Sequence, residues 1–231
     1  MIPPPVWFRT ICQKNGFPVR EEQIQQLTTY VELLLDWNRK INLISRRDEE
    51  NVWPRHILHS ISILFKHRFR QGALALDLGT GGGLPGIPLK ILSPSLRFVL
   101  VDATQKKVKA VTKIIRELHL QGAEVFWGRA EDLAKLPNLG GAFDYVFARA
   151  VASLKDLVRL SRPFLRLSGV ATAEPLVISP PALVAWKGGE VEQEIQQAKP
   201  NNVRSIEITN LVFEGSEQLL DSEKRLIVVR L

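Results

Sequence analysis

The run Asp77-Leu78-Gly79-Thr80-Gly81-Gly82-Gly83 sets a carboxylate two residues ahead of a glycine cluster. Glycines at this density let a chain turn sharply and bring backbone amides close to a ligand. About twenty residues on stand Asp102 and Ala103, where a carboxylate can accept hydrogen bonds from both hydroxyls of a ribose. The polar turn Arg129-Ala130-Glu131-Asp132 follows and suits an adenine amino group. The joint spacing predicts a nucleoside laid across three successive strand ends.

Two cofactor chemistries fit that frame. Gly81, Gly83 and Gly86 satisfy Gly-x-Gly-x-x-Gly, which with Asp102 also describes a nicotinamide dinucleotide site and makes an oxidoreductase the alternative. Asp77 decides for S-adenosylmethionine, because its carboxylate can address the methionyl amino end and would repel a pyrophosphate. Pro85 and Pro88 also interrupt the regular helix start a pyrophosphate needs, and no hydride-transfer site is recognisable. Two acceptor classes are disfavoured by the same sequence. Carbon methylation of a pyrimidine needs a cysteine near the fourth strand, and the single Cys12 lies near the start of the chain. Exocyclic amines are usually met by an Asn/Asp/Ser-Pro-Pro-aromatic loop, whereas this chain reads Ala148-Arg149-Ala150-Val151. A ring nitrogen such as guanine N7 carries an in-plane lone pair and needs no general base, so positioning would do most of the catalysis. Arg149 and Lys187 are the candidate catalytic residues: Arg149 for a cofactor carboxylate or an RNA phosphate, Lys187 for a phosphate or the guanine carbonyl. The alternatives are a surface salt bridge for Arg149 and a solvated lysine for Lys187. Cys12 and four histidines without ligand spacing imply no metal.

The elements that must hold these residues are readable from periodicity. Apolar runs at 74–78, 97–101, 124–127 and 145–148 read as buried parallel strands, with a fifth near Val170 and two candidates at 206–213 and 226–231. Helical spacing at 86–92, 106–120 and 154–165 alternates with them, which predicts an α/β Rossmann-like sheet, mostly parallel with an antiparallel C-terminal strand. Residues 21–37 carry an amphipathic stripe through Ile24, Leu27, Val31, Leu34 and Leu35, and a second helical pattern runs from Val52 to Phe65. Residues 1–70 are therefore expected as a helical extension and residues 71–231 as the Rossmann-like domain.

The 231 residues carry a formal charge of +7, and no apolar run approaches the roughly 18 residues of a membrane span. No signal-peptide order is visible at Met1–Trp7, so the expectation is cytoplasmic. Basic residues gather between Arg39 and Arg70, between Lys106 and Arg116, and between Arg149 and Arg166, which favours a nucleic-acid partner through counterion release. Asn38, Asn42, Arg46, Arg47, Arg55 and His56, with Lys187, are candidate RNA contacts. Loop-fastening for the asparagines and helix packing for the histidine stand beside that reading, and Trp37 and Trp53 read as core anchors. A noncatalytic RNA-binding protein with a vestigial pocket is a further alternative.

Five segments in order resemble the bacterial ribosomal small-subunit methyltransferase G family, also called GidB: Trp37-Asn38 with Ile41-Asn42-Leu43; Arg55-His56-Ile57-Leu58; Gly79-Thr80-Gly81 continuing to Leu84-Pro85-Gly86-Ile87-Pro88-Leu89; Arg149-Ala150-Val151-Ala152-Ser153-Leu154; and Lys187-Gly188. The resemblance implies a class I S-adenosylmethionine-dependent methyltransferase acting on N7 of one guanine in 16S rRNA, in the small subunit or an assembly intermediate. It also implies that Gly79, Leu84, Ala130, Glu131 and Arg149 contact the cofactor. The chain departs from the family pattern at His59, Ala148 and Val151, and the stretch from Gly169 to Lys187 reads as an inserted loop.

Overall fold

The computed structural model describes residues 4–150, 152–167, 174, 176–189, 191–198, 203–219 and 224–231. Helices α1 (Val6–Lys14) and α2 (Glu21–Asn38) lead into a composite helix: a π turn at Trp53–Leu58, α3 (His59–Ile61) and a 3-10 turn at Ser62–Phe65. Then come β1 (Leu74–Leu78), α4 (Gly86–Leu92), β2 (Arg97–Asp102), α5 (Gln105–Glu117), β3 (Ala123–Trp127), α6 (Ala130–Leu133), β4 (Tyr145–Arg149) and α7 (Leu154–Ser161). Strands β5 (Ala182–Gly188), β6 (Ser205–Asn210) and β7 (Lys224–Arg230) follow, with α8 (Glu192–Ala198) after β5.

The seven strands lie in the order β3-β2-β1-β4-β5-β7-β6. Strands β1 to β5 are parallel, and β7 runs antiparallel between β5 and β6. The fifth strand is Ala182–Gly188; the apolar run expected near Val170 lies outside the described residues. The last residues of the expected insertion, from Ala182 on, are therefore strand, and Lys187 sits on it.

Strict alternation along the strands builds two cores, because successive side chains point to opposite faces. Phe98, Leu100, Tyr145, Phe147, Val184, Trp186 and Val228 face one layer, made of α1 to α5. Val99, Val101, Val146, Leu183, Ile227 and Val229 face the other, covered by α6, α7 and α8. The N-terminal helices thus share one continuous core with the sheet, and that core does not break near residue 70: Leu34 and Ile57 belong to the cluster that holds Phe147. The sheet's strand order reverses direction between β1 and β4, so the crevice at their carboxyl ends is the place where such a sheet receives ligands.

Candidate functional site

Asp77 faces the helical layer next to the end of β1 and is fully buried. Its Oδ2 accepts from the Thr80 hydroxyl at 2.6 Å and from the Gly86 amide at 2.9 Å, which closes the glycine loop and caps α4. Its Oδ1 is buried with no hydrogen-bond partner. Burial therefore lifts the carboxyl to about 6, against the opposing pull of Thr80, Gly86 and Arg149. An unpartnered anionic oxygen inside a glycine loop is the feature a ligand cation would complete.

The loop itself depends on glycine where φ is left-handed, at Gly79 (+69°), Gly81 (+58°) and Gly83 (+95°). Gly82 is tight for a different reason: a Cβ there would stand 2.7 Å from Leu34 Cδ1 and 3.3 Å from Leu43 Cβ. Helix α2 also fastens this turn through the Tyr30 hydroxyl, which donates to the Gly82 carbonyl at 2.9 Å. Asp102, at the end of β2, accepts from the Gly81 amide (3.0 Å) through Oδ2 and from the Thr104 amide (2.8 Å) through Oδ1. Each oxygen keeps acceptor capacity for a ribose hydroxyl. The Asp102 carbonyl takes the Gly128 amide at 3.1 Å, which draws the start of α6, Ala130 and Glu131, to the same edge. Leu84 is buried under the turn, Ala103 is exposed beside Asp102, and Glu131 is exposed. The structure thus brings Asp77, Gly79, Gly81, Leu84, Asp102, Ala103, Ala130 and Glu131 to one line of strand ends.

Across the switch point, Leu78 on β1 is paired with Ala148 on β4, so Arg149 emerges beside the loop. Its guanidinium donates to the Arg55 carbonyl at 3.2 Å and to His56 Nδ1 at 3.0 Å. A guanidinium only donates, so His56 must offer Nδ1 as acceptor and carry its proton on Nε2, which faces Asp48 Oδ2 at 3.4 Å. Burial first, then Arg149, Arg55 and Lys224, push the His56 imidazole down to about 3, so it is neutral at physiological pH. Burial likewise holds His59 well below its ordinary value.

These side chains line a cavity of about 290 Å³ bounded by Arg55, His56, Arg149, Trp186, Lys187 and Lys224. Among the described residues that line it, four cations face one carboxylate, Asp48. A larger cavity, about 790 Å³, opens beside Arg70, Ser95 and Leu96 at the amino ends of the strands. It is remote from the loop, and the chemistry assigns the site to the smaller one.

Three of the expected RNA contacts have partners inside the fold. Asn38 is completely buried: its Oδ1 accepts from the Leu43 and Ile44 amides (2.8 and 2.9 Å) and its Nδ2 donates to Glu49 at 2.6 Å, so it fastens the loop after α2. His56 serves Arg149 rather than solvent. Lys187 lines the cavity, yet its ammonium donates to the Ala152 carbonyl (2.6 Å) and pairs with Glu194 (2.7 Å), so its first contacts are inside the fold. Asn42, Arg46 and Arg47 are exposed as expected, and Arg55 is half-buried against Asp48 at 3.6 Å. Tyr30, Asp48 and Lys224 escaped the sequence reading. Each reaches the site from a remote segment, and only the tertiary fold reveals the contact.

A family model described as rRNA small subunit methyltransferase G matches residues 23–220. A ribosomal RNA small subunit methyltransferase G from Chlorobium luteolum is 43% identical over 82% of this chain and 72% of its own length. The proteins of that name from Chlorobaculum tepidum and Streptococcus pyogenes are 36% and 34% identical, over 95% and 98% of this chain and 95% and 90% of theirs. Among solved structures, Aeropyrum pernix fibrillarin with natively bound S-adenosyl-L-methionine superposes with a TM-score of 0.53 at 16% identity, covering 73% of this chain and 72% of that one. M. jannaschii TYW2 in complex with AdoMet gives 0.53 at 13% identity over 83% and 77%. At such identities these two speak for the shared fold alone.

Proposed function

Since the chain belongs to the rRNA small subunit methyltransferase G family, we propose that it transfers the methyl group of S-adenosylmethionine to N7 of a guanine in 16S rRNA. The observation that carries the reading is the juxtaposition at the switch point: a glycine loop with an unpartnered buried carboxylate oxygen on β1, and a cation-lined cavity starting at the next strand, β4. S-adenosylmethionine supplies an electrophilic sulfonium methyl when bound. Asp77 Oδ1 is positioned to take its amino end, Asp102 its ribose, and the start of α6 its adenine edge.

The cavity is suited to an acceptor that needs no deprotonation. His56 titrates at about 3 and is a poor base, and Asp48 is engaged by Arg55 and His56. Cys12 is buried in α1, with its thiol pushed up to about 12, so it is no nucleophile. Arg149, held from two sides, orients the reacting nucleotide or the cofactor carboxylate, and Arg55, Lys187 and Lys224 supply the field that receives RNA. The nicotinamide alternative is disfavoured by Asp77 itself: the Gly86 amide, which would greet a pyrophosphate, is already bonded to that carboxylate. Exposed Arg46 and Arg47 directly precede Asp48, which lines the cavity. No described helix is long and apolar enough to cross a membrane, and the reading places the enzyme on the small subunit or an assembly intermediate in the cytoplasm.

The test is incubation of the protein with S-adenosylmethionine and unmodified small ribosomal subunits, followed by mass spectrometry of nuclease fragments. The expected product is 7-methylguanosine at a single position. Methylated cytosine or adenine overturns the acceptor assignment. Tight RNA binding with no transfer supports the noncatalytic alternative.

A further inference from the structure

The last turn of α2 and the outer face of α5 enclose a second groove, of about 450 Å³, which the reaction itself does not use. Its floor is apolar, made by Trp37, Ile41 and Val108, and its rim is lysine: Lys106, Lys109 and Lys113. The ammoniums of Lys40 and Lys113 lie 5.2 and 5.5 Å from the centroid of the Trp37 ring. Lys40 shares Asp36 with Arg39. Among the described residues no carboxylate pairs with Lys106, Lys109 or Lys113, and all three are exposed.

A helix that wanted only solubility would intersperse both signs, whereas α5 presents three like charges at i, i+3 and i+7, on one face. At 1.5 Å of rise per residue these span about 10 Å, the length of roughly three stacked nucleotides in one strand. The apolar floor with an aromatic edge is what flat bases and riboses seek, and a cationic rim is what their phosphates seek. Helix α5 begins just after Asp102 and Ala103, so the groove flanks the cofactor edge, away from the cavity at β4 and β5.

We propose that this groove binds a single-stranded segment of the same rRNA, remote from the target guanine, with phosphates on Lys106, Lys109 and Lys113 and a base or ribose against Trp37. The inference rests on the rRNA reading above and adds to it a second anchor, one that selects the RNA by its unpaired strand before the target nucleotide is engaged.

The experiment replaces Lys106, Lys109 and Lys113 together by Gln, which keeps helix propensity at exposed sites. Binding to unmodified small subunits and to free 16S rRNA transcript is titrated against salt, alongside S-adenosylmethionine affinity. The slope of log affinity on log salt is expected to shrink by about 2, near 0.7 per released phosphate contact. KM for the subunit is expected to rise about tenfold or more, with cofactor affinity unchanged. Trp37→Phe is expected to keep RNA affinity and Trp37→Leu to lose roughly tenfold without further change of slope. An unaltered slope and KM in the triple variant overturn the proposal. Loss on assembled subunits but not on free transcript also overturns it and assigns the groove to a ribosomal protein. A wild-type protein that binds RNA with the expected slope yet transfers no methyl group strikes the methyltransferase reading and leaves the groove standing.

Discussion

Replacing Asp77 by Asn should make the protein without cofactor more stable and the enzyme worse. The wild-type carboxyl is fully buried and lifted from its ordinary 3.8 to about 6. At about 1.4 kcal/mol per tenfold change in acidity, ionising it in the fold costs about 3 kcal/mol relative to the unfolded chain. The sign follows from proton binding. Between pH 3.8 and about 6 the folded state holds more protons than the unfolded one, so this contribution is complete at low pH and lost as pH rises through 6. An Asn can offer its oxygen to Thr80 and Gly86 in place of Oδ2 and sets a neutral amide where Oδ1 sits, so it behaves as the permanently protonated form. Urea unfolding without cofactor is then expected to show the variant about 1–3 kcal/mol more stable than wild type at pH 7.5, with the gap closing towards pH 4. Calorimetry is expected to show the reverse for S-adenosylmethionine. Loss of a charge-assisted hydrogen bond is worth about 1.5–3 kcal/mol, a roughly ten- to hundredfold drop in affinity. Wild-type affinity should also fall below pH 6, and the variant's should not. A variant that is less stable at pH 7.5 and binds the cofactor normally refutes both the strain at Asp77 and its assignment as the amino-end partner.

Three further outcomes follow from the same contacts. His56→Asn keeps an acceptor near the Nδ1 position and should retain most activity, whereas His56→Leu leaves the Arg149 guanidinium without it and should cut kcat about tenfold or more; equal activities in steady-state assays would remove His56 from the positioning of Arg149. Gly82→Val should weaken cofactor binding by calorimetry, because its Cβ alone crowds Leu34 and Leu43 at 2.7 and 3.3 Å; normal affinity would show that the turn has room. Glu194 sits below its usual value, since Lys187 and the Leu154 amide outweigh the burial that alone would raise it. This pair therefore stabilises the fold above about pH 4.5 and loses that contribution as pH falls through the depressed value. Lys187→Met should lower Tm at neutral pH and narrow that difference in acid; an unchanged Tm at pH 7 would show that the pair with Glu194 contributes nothing to the fold.

The sheet was legible because its strands alternate so regularly between two cores: Phe98, Val99, Leu100 and Val101 show the pattern in four residues. Strand β5 was misplaced because Pro180-Pro181 reads as a loop, yet both prolines precede the strand, where a missing amide removes no ladder bond. Helix α1 falls inside the helical extension expected for residues 1–70; Pro5 is extended and serves as the N-cap of a helix that buries Phe8, Ile11 and Cys12. That Asp77, the glycines and Asp102 share one edge could be read because their placement follows from spacing along consecutive strands. The roles of Asn38 and His56 could not, since each depends on a partner that comes into view only when the chain is folded: Glu49 for one, Arg149 across 93 residues for the other.

The place of β7 between β5 and β6 has a consequence for how the molecule opens. Strand β6 is hydrogen-bonded to β7 alone, so it stays unattached until a strand made later in the chain has found β5. These two strands form the natural unit of partial unfolding, and β6, with its half-exposed face, is expected to exchange its amide hydrogens well before β1 and β4 at the centre. Lys224 stands at the first position of β7, opposite Gly188. Each fluctuation that frees this hairpin therefore carries one wall of the cavity away from Arg149, while the strand ends at β1 and β2 remain intact.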